Sequence, residues 1–257
     1  MTKLTNTTPN YLFDVDGTLI PVSGILDKAF FHWFSKWTET NTFYIVSCGT
    51  YDKLLMQVGK HILERAEAVF ACAGNATYIQ GKLVMHHEIA IPVEMLEYFD
   101  EAIAASNFED KRYPHLDYRT GLVNFSICGR GTSSLQREAY MKFDAVSKER
   151  ELIADHINKT WPKFIAQIGG GIGIDITEKY RDKPQVADMV DCPLVFFADQ
   201  INPMGNDFTL AKKLLLLGDN RVYNVKDWKE TWESLKEENE GHTNVMTLWS
   251  LENGAEI

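Results

Sequence analysis

Two aspartates two positions apart, Asp14 and Asp16, close the apolar run Tyr11-Leu12-Phe13 in the stretch Phe13-Asp14-Val15-Asp16-Gly17-Thr18-Leu19. On an extended backbone, residues two positions apart point the same way, so both carboxylates can face one reaction centre. The glycine behind them lets the chain turn sharply. This suits phosphoryl transfer: one carboxylate attacks phosphorus, the other handles protons, and a hard cation neutralises the accumulated charge. A strand running into an inert Asp-Gly turn has the same short signature, so companion residues must decide.

Four companions exist. Tyr44-Ile45-Val46 is an apolar strand ending in Ser47, whose hydroxyl can hold a phosphate oxygen beside the backbone amides of Cys48 to Thr50. Phe196-Phe197-Ala198-Asp199 repeats the opening design and makes Asp199 a candidate metal ligand. Gly205-Asn206-Asp207 supplies a glycine turn and a helix-capping pair, with Asn206 and Asp207 in supporting roles. Lys183 lies just before the last strands and can pair with the nucleophile and the phosphate, although an isolated lysine is more often solvated. Carboxylates at the C-terminal ends of two buried strands converge where open α/β sheets bind ligands.

The elements that must position these groups follow from periodicity. Residues 24–40 carry apolar positions at helical spacing, residues 42–46 are β-like, residues 52–59 are helical again, and Ala68-Val69-Phe70-Ala71 is a short strand. That alternation predicts a parallel sheet with crossover helices. After Gly74 the pattern changes to a hairpin over Tyr78–Val84, a helix over Pro92–Ala105, two β-segments around Thr120-Gly121, one long charged helix over Leu135–Ile157, and strands at Phe164–Ile168 and Ile172–Ile176. The strand Pro193–Phe197, a helix over Asp207–Leu217 and a strand at Arg221–Val225 resume the first pattern. The prediction is an α/β protein: a Rossmann-like parallel-sheet core over 1–81 and 186–257, interrupted by an α+β cap over 82–185. The turns after Lys236 are polar and are expected to fray.

Composition sets the outer bounds. The chain has 257 residues, of which 45% are hydrophobic and 24% charged, enough to bury a sizeable core. A net charge of −10 argues against nucleic-acid or membrane binding, so an anionic substrate needs a local basic pocket. No apolar run approaches the ~18 residues of a membrane span. The polar first ten residues and the four scattered cysteines predict a cytoplasmic protein with reduced thiols.

The order Asp-Val-Asp-Gly-Thr, strand-Ser, Lys, strand-Asp, Gly-Asn-Asp resembles the haloacid dehalogenase (HAD) superfamily of phosphotransferases. Within it the chain is similar to the eukaryotic-type phosphomannomutases. Three stretches carry that likeness: Tyr118-Arg119-Thr120-Gly121-Leu122-Val123-Asn124-Phe125-Ser126, Cys128-Gly129-Arg130 with Arg137 seven positions on, and Ile168-Gly169-Gly170-Gly171-Ile172-Gly173-Ile174-Asp175. Pro203-Met204-Gly205-Asn206-Asp207 likewise resembles the family's Pro-Gly-Gly-Asn-Asp. The chain departs from the family in four places: Ser23 replaces an arginine, Gly173 a serine, Ala198 a glycine, and Ser47-Cys48-Gly49 stands for Gly-Gly-Ser. These changes leave the catalytic carboxylates intact.

The resemblance implies a division of roles. Asp14 is the nucleophile, Asp16 the proton carrier, and Ser47 and Lys183 stabilise the transferring phosphoryl oxygens. Mg²⁺ is held by the Asp14 carboxylate, the Asp16 backbone carbonyl and Asp199. Arg119, Arg130 and Arg137 form a basic clamp on a phosphate, or else they are ordinary surface arginines in weak ion pairs. Asn124 and Asp175 hydrogen-bond sugar hydroxyls. The expected reaction is interconversion of a hexose 1-phosphate and 6-phosphate with a bisphosphate activator. A sugar-phosphate phosphatase on the same site is the alternative, and a non-catalytic binding module has no need of both carboxylates. The likeness also implies a homodimer formed through the cap.

Overall fold

The computed structural model describes residues 10–22, 24–238 and 245–253. Ser23, where the family carries an arginine, lies outside them. Strands β1 (Asn10–Phe13), β2 (Phe43–Val46), β3 (Val69–Ala71), β4 (Ala76–Ile79), β5 (Lys82–His86), β10 (Leu194–Ala198) and β11 (Arg221–Asn224) form one sheet in the order β11-β10-β1-β2-β3-β4-β5. Its five members from β11 to β3 run parallel, while β4 and β5 are antiparallel at the edge. Strands β6 (Leu116–Arg119), β7 (Leu122–Phe125), β8 (Phe164–Gly169) and β9 (Gly173–Glu178) make a second, antiparallel sheet in the order β6-β7-β9-β8.

The sequence explains the central sheet. Alternate residues of β1, β2, β10 and β11 are apolar on both faces, which requires helices on both sides. Phe13, Ile45, Phe197 and Tyr223 face a layer containing α1 (Lys28–Trp37), α2 (Tyr51–Gln57) and α3 (Lys60–Arg65). Leu12, Val46, Phe196 and Val222 face α8 (Phe208–Leu216), after α4 to α7 have been placed in the chain at Val93–Ala105, Ser134–Ser147, Glu149–Thr160 and Val186–Met189. Phe13 stacks on Phe197 at 5.4 Å between ring centroids and Phe197 on Tyr223 at 4.4 Å. These rings lock together the strands that end in Asp14 and Asp199, and such contacts contribute beyond simple burial. Helix α1 begins where the Asp27 side chain accepts from the amides of Ala29 and Phe30.

Three expectations are corrected. The hairpin over Tyr78–Val84 exists, but β5 pairs with β4 at the edge of the large sheet, so residues 82–86 extend the core sheet instead of opening the insertion. The long helix over Leu135–Ile157 is two helices, α5 and α6, broken at Lys148, which adopts a left-handed conformation (φ 56°). Asp144 stabilises the break: its carboxylate accepts from the Arg150 amide at 2.9 Å and from Arg150 Nε at 2.8 Å. Beyond Lys236 the chain is not simply frayed. Helix α9 (Trp228–Glu238) is followed, after the undescribed 239–244, by α10 (Leu248–Asn253), and Met246 and Leu251 are buried against the large sheet's second apolar layer. Among the described residues, no helix is long and apolar enough to cross a membrane.

Candidate active site

Asp14, Ser47 and Asp199 are the residues immediately after β1, β2 and β10. Parallel neighbouring strands end at one edge of the sheet, so three separate apolar runs deliver three polar groups to one place. Asp14 is 5% exposed. Lys183, which follows β9 as the chain returns to the large sheet, is fully enclosed; its Nζ donates to Asp14 Oδ1 and to Asp207 Oδ1, each at 2.6 Å. Burial works against the Lys183 charge, but the carboxylates of Asp14 and Asp207 outweigh it and hold the ammonium well above its usual range. Burial raises the Asp14 carboxyl, and the neighbouring Asp207 and Asp199 add to that while Lys183 opposes it. Asp199 is pushed up to about 6, by burial first and by Asp207 second.

Asp14, Asp199 and Asp207 can bring one oxygen each to within 4.8 Å of one another. Three carboxyl groups crowd around one ammonium, and Asp199 Oδ1 is buried without a hydrogen-bond partner among the described residues. Hard oxygen donors, more carboxyl groups than cations and an unpartnered carboxyl oxygen fit a small divalent cation. Gly17 is required beside them. It turns with φ +99°, and a Cβ there would collide with the Asp199 carboxylate.

Ser47 is buried, and its hydroxyl oxygen accepts from the Gly49 amide at 3.0 Å. Asp16, on the same cavity, is held by α2: Lys53 Nζ lies 2.5 Å from its Oδ2 and Gln57 Nε2 lies 3.0 Å from its Oδ1. The sequence reading missed both partners. The available signal was their four-residue spacing on the helix following Ser47, which puts them on one face. Asp207, expected in a supporting and helix-capping role, stands at the start of α8 but makes no side-chain capping hydrogen bond; its carboxylate joins the cluster with Asp14 and Asp199 instead.

The second sheet forms the facing wall of a cavity of about 330 Å³, lined on one side by Asp14, Asp16, Ser47 and Asp199 and on the other by Asn124, Arg130, Arg137 and Asp175. Lys183 and Asp207 lie beneath its floor. Arg119 also reaches the cavity, but its guanidinium is engaged. It makes a two-pronged contact to Asp117 Oδ2 at 2.9 and 2.7 Å, donates to the Cys48 backbone carbonyl at 2.7 Å, and lies 3.8 Å from Asp175. Asn124 and Asp175 hydrogen-bond each other at 2.7 Å, and Asn206 donates to Asp175 at 3.2 Å. Arg130 donates to Asn124 at 3.0 Å. Burial depresses its pKa, and the nearby guanidinium of Arg119 adds to the depression. Cations packed against each other in a half-buried cavity favour an incoming anion. Gly173 fits this wall because a Cβ there would enter the Asn124 amide.

A parallel sheet with a carboxylate-bearing loop after its first strand, a second carboxylate after a neighbouring strand and a buried lysine between them is the arrangement of an HAD-type phosphotransfer enzyme. The family described as eukaryotic phosphomannomutase matches residues 30–237, and the chain belongs to it. That match begins beyond Asp14 and Asp16. The chain is 29% identical over 217 residues to the phosphomannomutase of Galdieria sulphuraria, covering 80% of this chain and 86% of the relative. Its fold is similar to that of an IMP-nucleotidase from Plasmodium falciparum, with a TM-score of 0.60 at 13% identity, covering 91% of this chain and 68% of that one. It is also similar to a haloacid dehalogenase-like hydrolase from Bacteroides thetaiotaomicron, with a TM-score of 0.52 at 8% identity over 80% of this chain and 86% of that one.

Proposed function

We propose that the protein transfers a phosphoryl group through an aspartyl-phosphate on Asp14 and so interconverts a hexose 1-phosphate and a hexose 6-phosphate, primed by a bisphosphate. The observation that carries this reading is the enclosed Lys183 bridging Asp14 and Asp207 below a cavity whose opposite wall bears Arg130 and Arg137. The Asp14 carboxylate attacks phosphorus while Lys183 holds it in place and balances its charge. Asp16 gives a proton to the departing sugar oxygen and later takes one from the incoming hydroxyl. Ser47 and Lys183 stabilise the phosphoryl oxygens in flight. The carboxylates of Asp14 and Asp199 and the backbone carbonyl of Asp16 would hold Mg²⁺, which would supply charge neutralisation for the transferring group. Asn124 and Asp175 exchange their mutual hydrogen bond for sugar hydroxyls, and Arg130 and Arg137 grip the far phosphate.

In this reading the second sheet and its helices act as a cap that excludes water, with the insertion beginning after His86 and the chain returning to the core at Lys183. The cap is also the surface through which two chains pair, in a cytoplasmic protein.

One observation favours a second reading, a sugar-phosphate phosphatase. Arg119 is engaged by Asp117, Asp175 and the Cys48 carbonyl, which leaves two arginines of three for a distal phosphate. A weaker grip lets the sugar leave before it can turn around, and water then takes the phosphoryl group. Phosphorus NMR with Mg²⁺, mannose 1-phosphate and a trace of hexose 1,6-bisphosphate separates the two. Mannose 6-phosphate without inorganic phosphate is the expected product. Inorganic phosphate as the main product replaces mutase with phosphatase, and an inert protein overturns both for this sugar.

A further inference from the structure

Helix α2 leaves the edge of the sheet carrying Lys53 and Gln57 on one face, and both turn to Asp16. Each takes a different carboxylate oxygen: Lys53 Nζ donates to Oδ2 at 2.5 Å, and Gln57 Nε2 donates to Oδ1 at 3.0 Å. Gln57 is 7% exposed, and the same nitrogen donates to the Gly24 carbonyl at 3.3 Å, so its amide is fixed at two points. The helix itself is held by Thr50, whose side chain accepts from the Lys53 amide, and by Leu54, which is fully buried. Lys53 and Gln57 both line the cavity that contains Asp14.

We infer that Lys53 and Gln57 are positioning residues that aim the Asp16 carboxyl group and thereby govern proton transfer to the departing oxygen. The inference rests on the reading of Asp16 as proton carrier in the proposed function. A carboxylate in a loop turns freely about its side-chain bonds, whereas donors on both oxygens restrict it to one plane. Aim matters because an error of about 1 Å in a reacting group can cost a hundredfold in rate. The ion pair itself is partly exposed, with the Lys53 side chain 32% accessible, and pairs of this kind add little to stability. Its consequence therefore falls on orientation and charge. As the Asp14–phosphorus bond forms and the phosphorus–oxygen bond breaks, the leaving oxygen keeps the bonding pair and receives the proton of Asp16. Asp16 becomes a carboxylate whose charge the Lys53 ammonium balances.

The test compares two similar esters on the full chain with Mg²⁺: p-nitrophenyl phosphate, whose phenolate departs without a proton, and 4-nitrobenzyl phosphate, whose alkoxide needs one. The readout is the ratio of their single-turnover rates of leaving-group release. Asp16→Ala lowers the benzyl rate relative to the phenyl rate by about a hundredfold, within the usual range for loss of an acid catalyst. Lys53→Met and Gln57→Leu move the same ratio in the same direction by about tenfold, and Lys53→Arg restores most of it. If Asp16→Ala moves the ratio and neither Lys53→Met nor Gln57→Leu does, the two residues are only structural and the inference is overturned while the proposed function stands. If Asp16→Ala leaves the ratio at its wild-type value, Asp16 is not the proton carrier, and the inference falls with that reading. Lys53→Gln, a gentler change, serves if Lys53→Met fails to fold.

Discussion

The Arg119 guanidinium donates to the backbone carbonyl of Cys48 at 2.7 Å, tying the small sheet to the loop that follows β2. Burial works against the Arg119 charge, but Asp175 and Asp117 outweigh it and keep the pKa above the usual arginine value. The group therefore stays charged and acts as a latch across the cavity. Replacing Arg119 with Ala removes its hydrogen bonds to Asp117 and Cys48 and is expected to cost about 2–3 kcal/mol. Hydrogen exchange should rise at the amides of Cys48 to Thr50, which lie under the latch. Unchanged exchange there would make the contact incidental to closure.

Asp14→Asn removes the attacking oxygen while preserving shape, and Lys183 keeps Asp207 as a partner. Turnover should fall by about a thousandfold or more, as for other lost nucleophiles, with circular dichroism unaltered. Activity near the wild-type level would reassign the nucleophile.

At hydrogen-bond distance the guanidiniums of Arg130 and Arg137 touch only neutral acceptors, Asn124 for Arg130 and the carbonyls of Thr132 and Arg130 for Arg137, whereas Arg119 is hydrogen-bonded to Asp117; Arg130 meets Asp117 only at 3.8 Å. Arg130→Ala should reduce kcat/KM on a hexose phosphate by about tenfold to a hundredfold, as expected on losing a charge-assisted contact. The loss on p-nitrophenyl phosphate should be much smaller. Equal losses on the two substrates would remove Arg130 from the clamp.

Asp199 carries a buried oxygen without a partner among the described residues and crowds against Asp207. In metal-free protein at neutral pH its charge opposes folding, so Asp199→Asn should raise the melting temperature in a chelator. Wild type should gain stability on adding Mg²⁺, by about 2.7 kcal/mol at a hundredfold excess over Kd. The variant should gain little. Calorimetry with and without the ion checks both signs, and an equal gain in the variant would place the cation elsewhere.

Gly173→Ser restores the residue that the family carries. A Cβ at 173 enters the Asn124 amide, and Asn124 is held by Asp175 and Arg130, so the wall cannot yield cheaply. A cost of about 1–3 kcal/mol in denaturant titration is expected for such overpacking. No loss would show that Asn124 has a second resting position.

The strands that deliver Asp14, Ser47 and Asp199 were legible in the sequence because each is a short apolar run closed by one polar residue. The ownership of the Tyr78–Val84 hairpin was not. Strand β5 is largely exposed, and a local pattern that specifies a hairpin says nothing about which sheet its outer strand extends. The break at Lys148 was hidden because a lysine stands where a left-handed residue is more often glycine or asparagine. Asp117 as the counter-ion of Arg119 was readable in principle, since two residues apart on a strand share a face. Lys53 and Gln57 were obscured by the ordinary expectation that helix-surface lysines and glutamines are solvated.

The bond from Lys183 to Asp14 spans 169 positions of chain, and β1 lies between β2 and β10 in the sheet. During synthesis Asp14 thus emerges long before its counter-ion. Until residues 183–198 have been made, β1 presents an unpaired edge and Asp14 has no cation with which to be buried. A ribosome-bound chain can assemble β1, β2 and β3 early, but it cannot close the reactive centre. Closure of this charged cluster therefore waits for residues 183–198, and a chain cut ahead of β10 leaves the β1 edge unpaired.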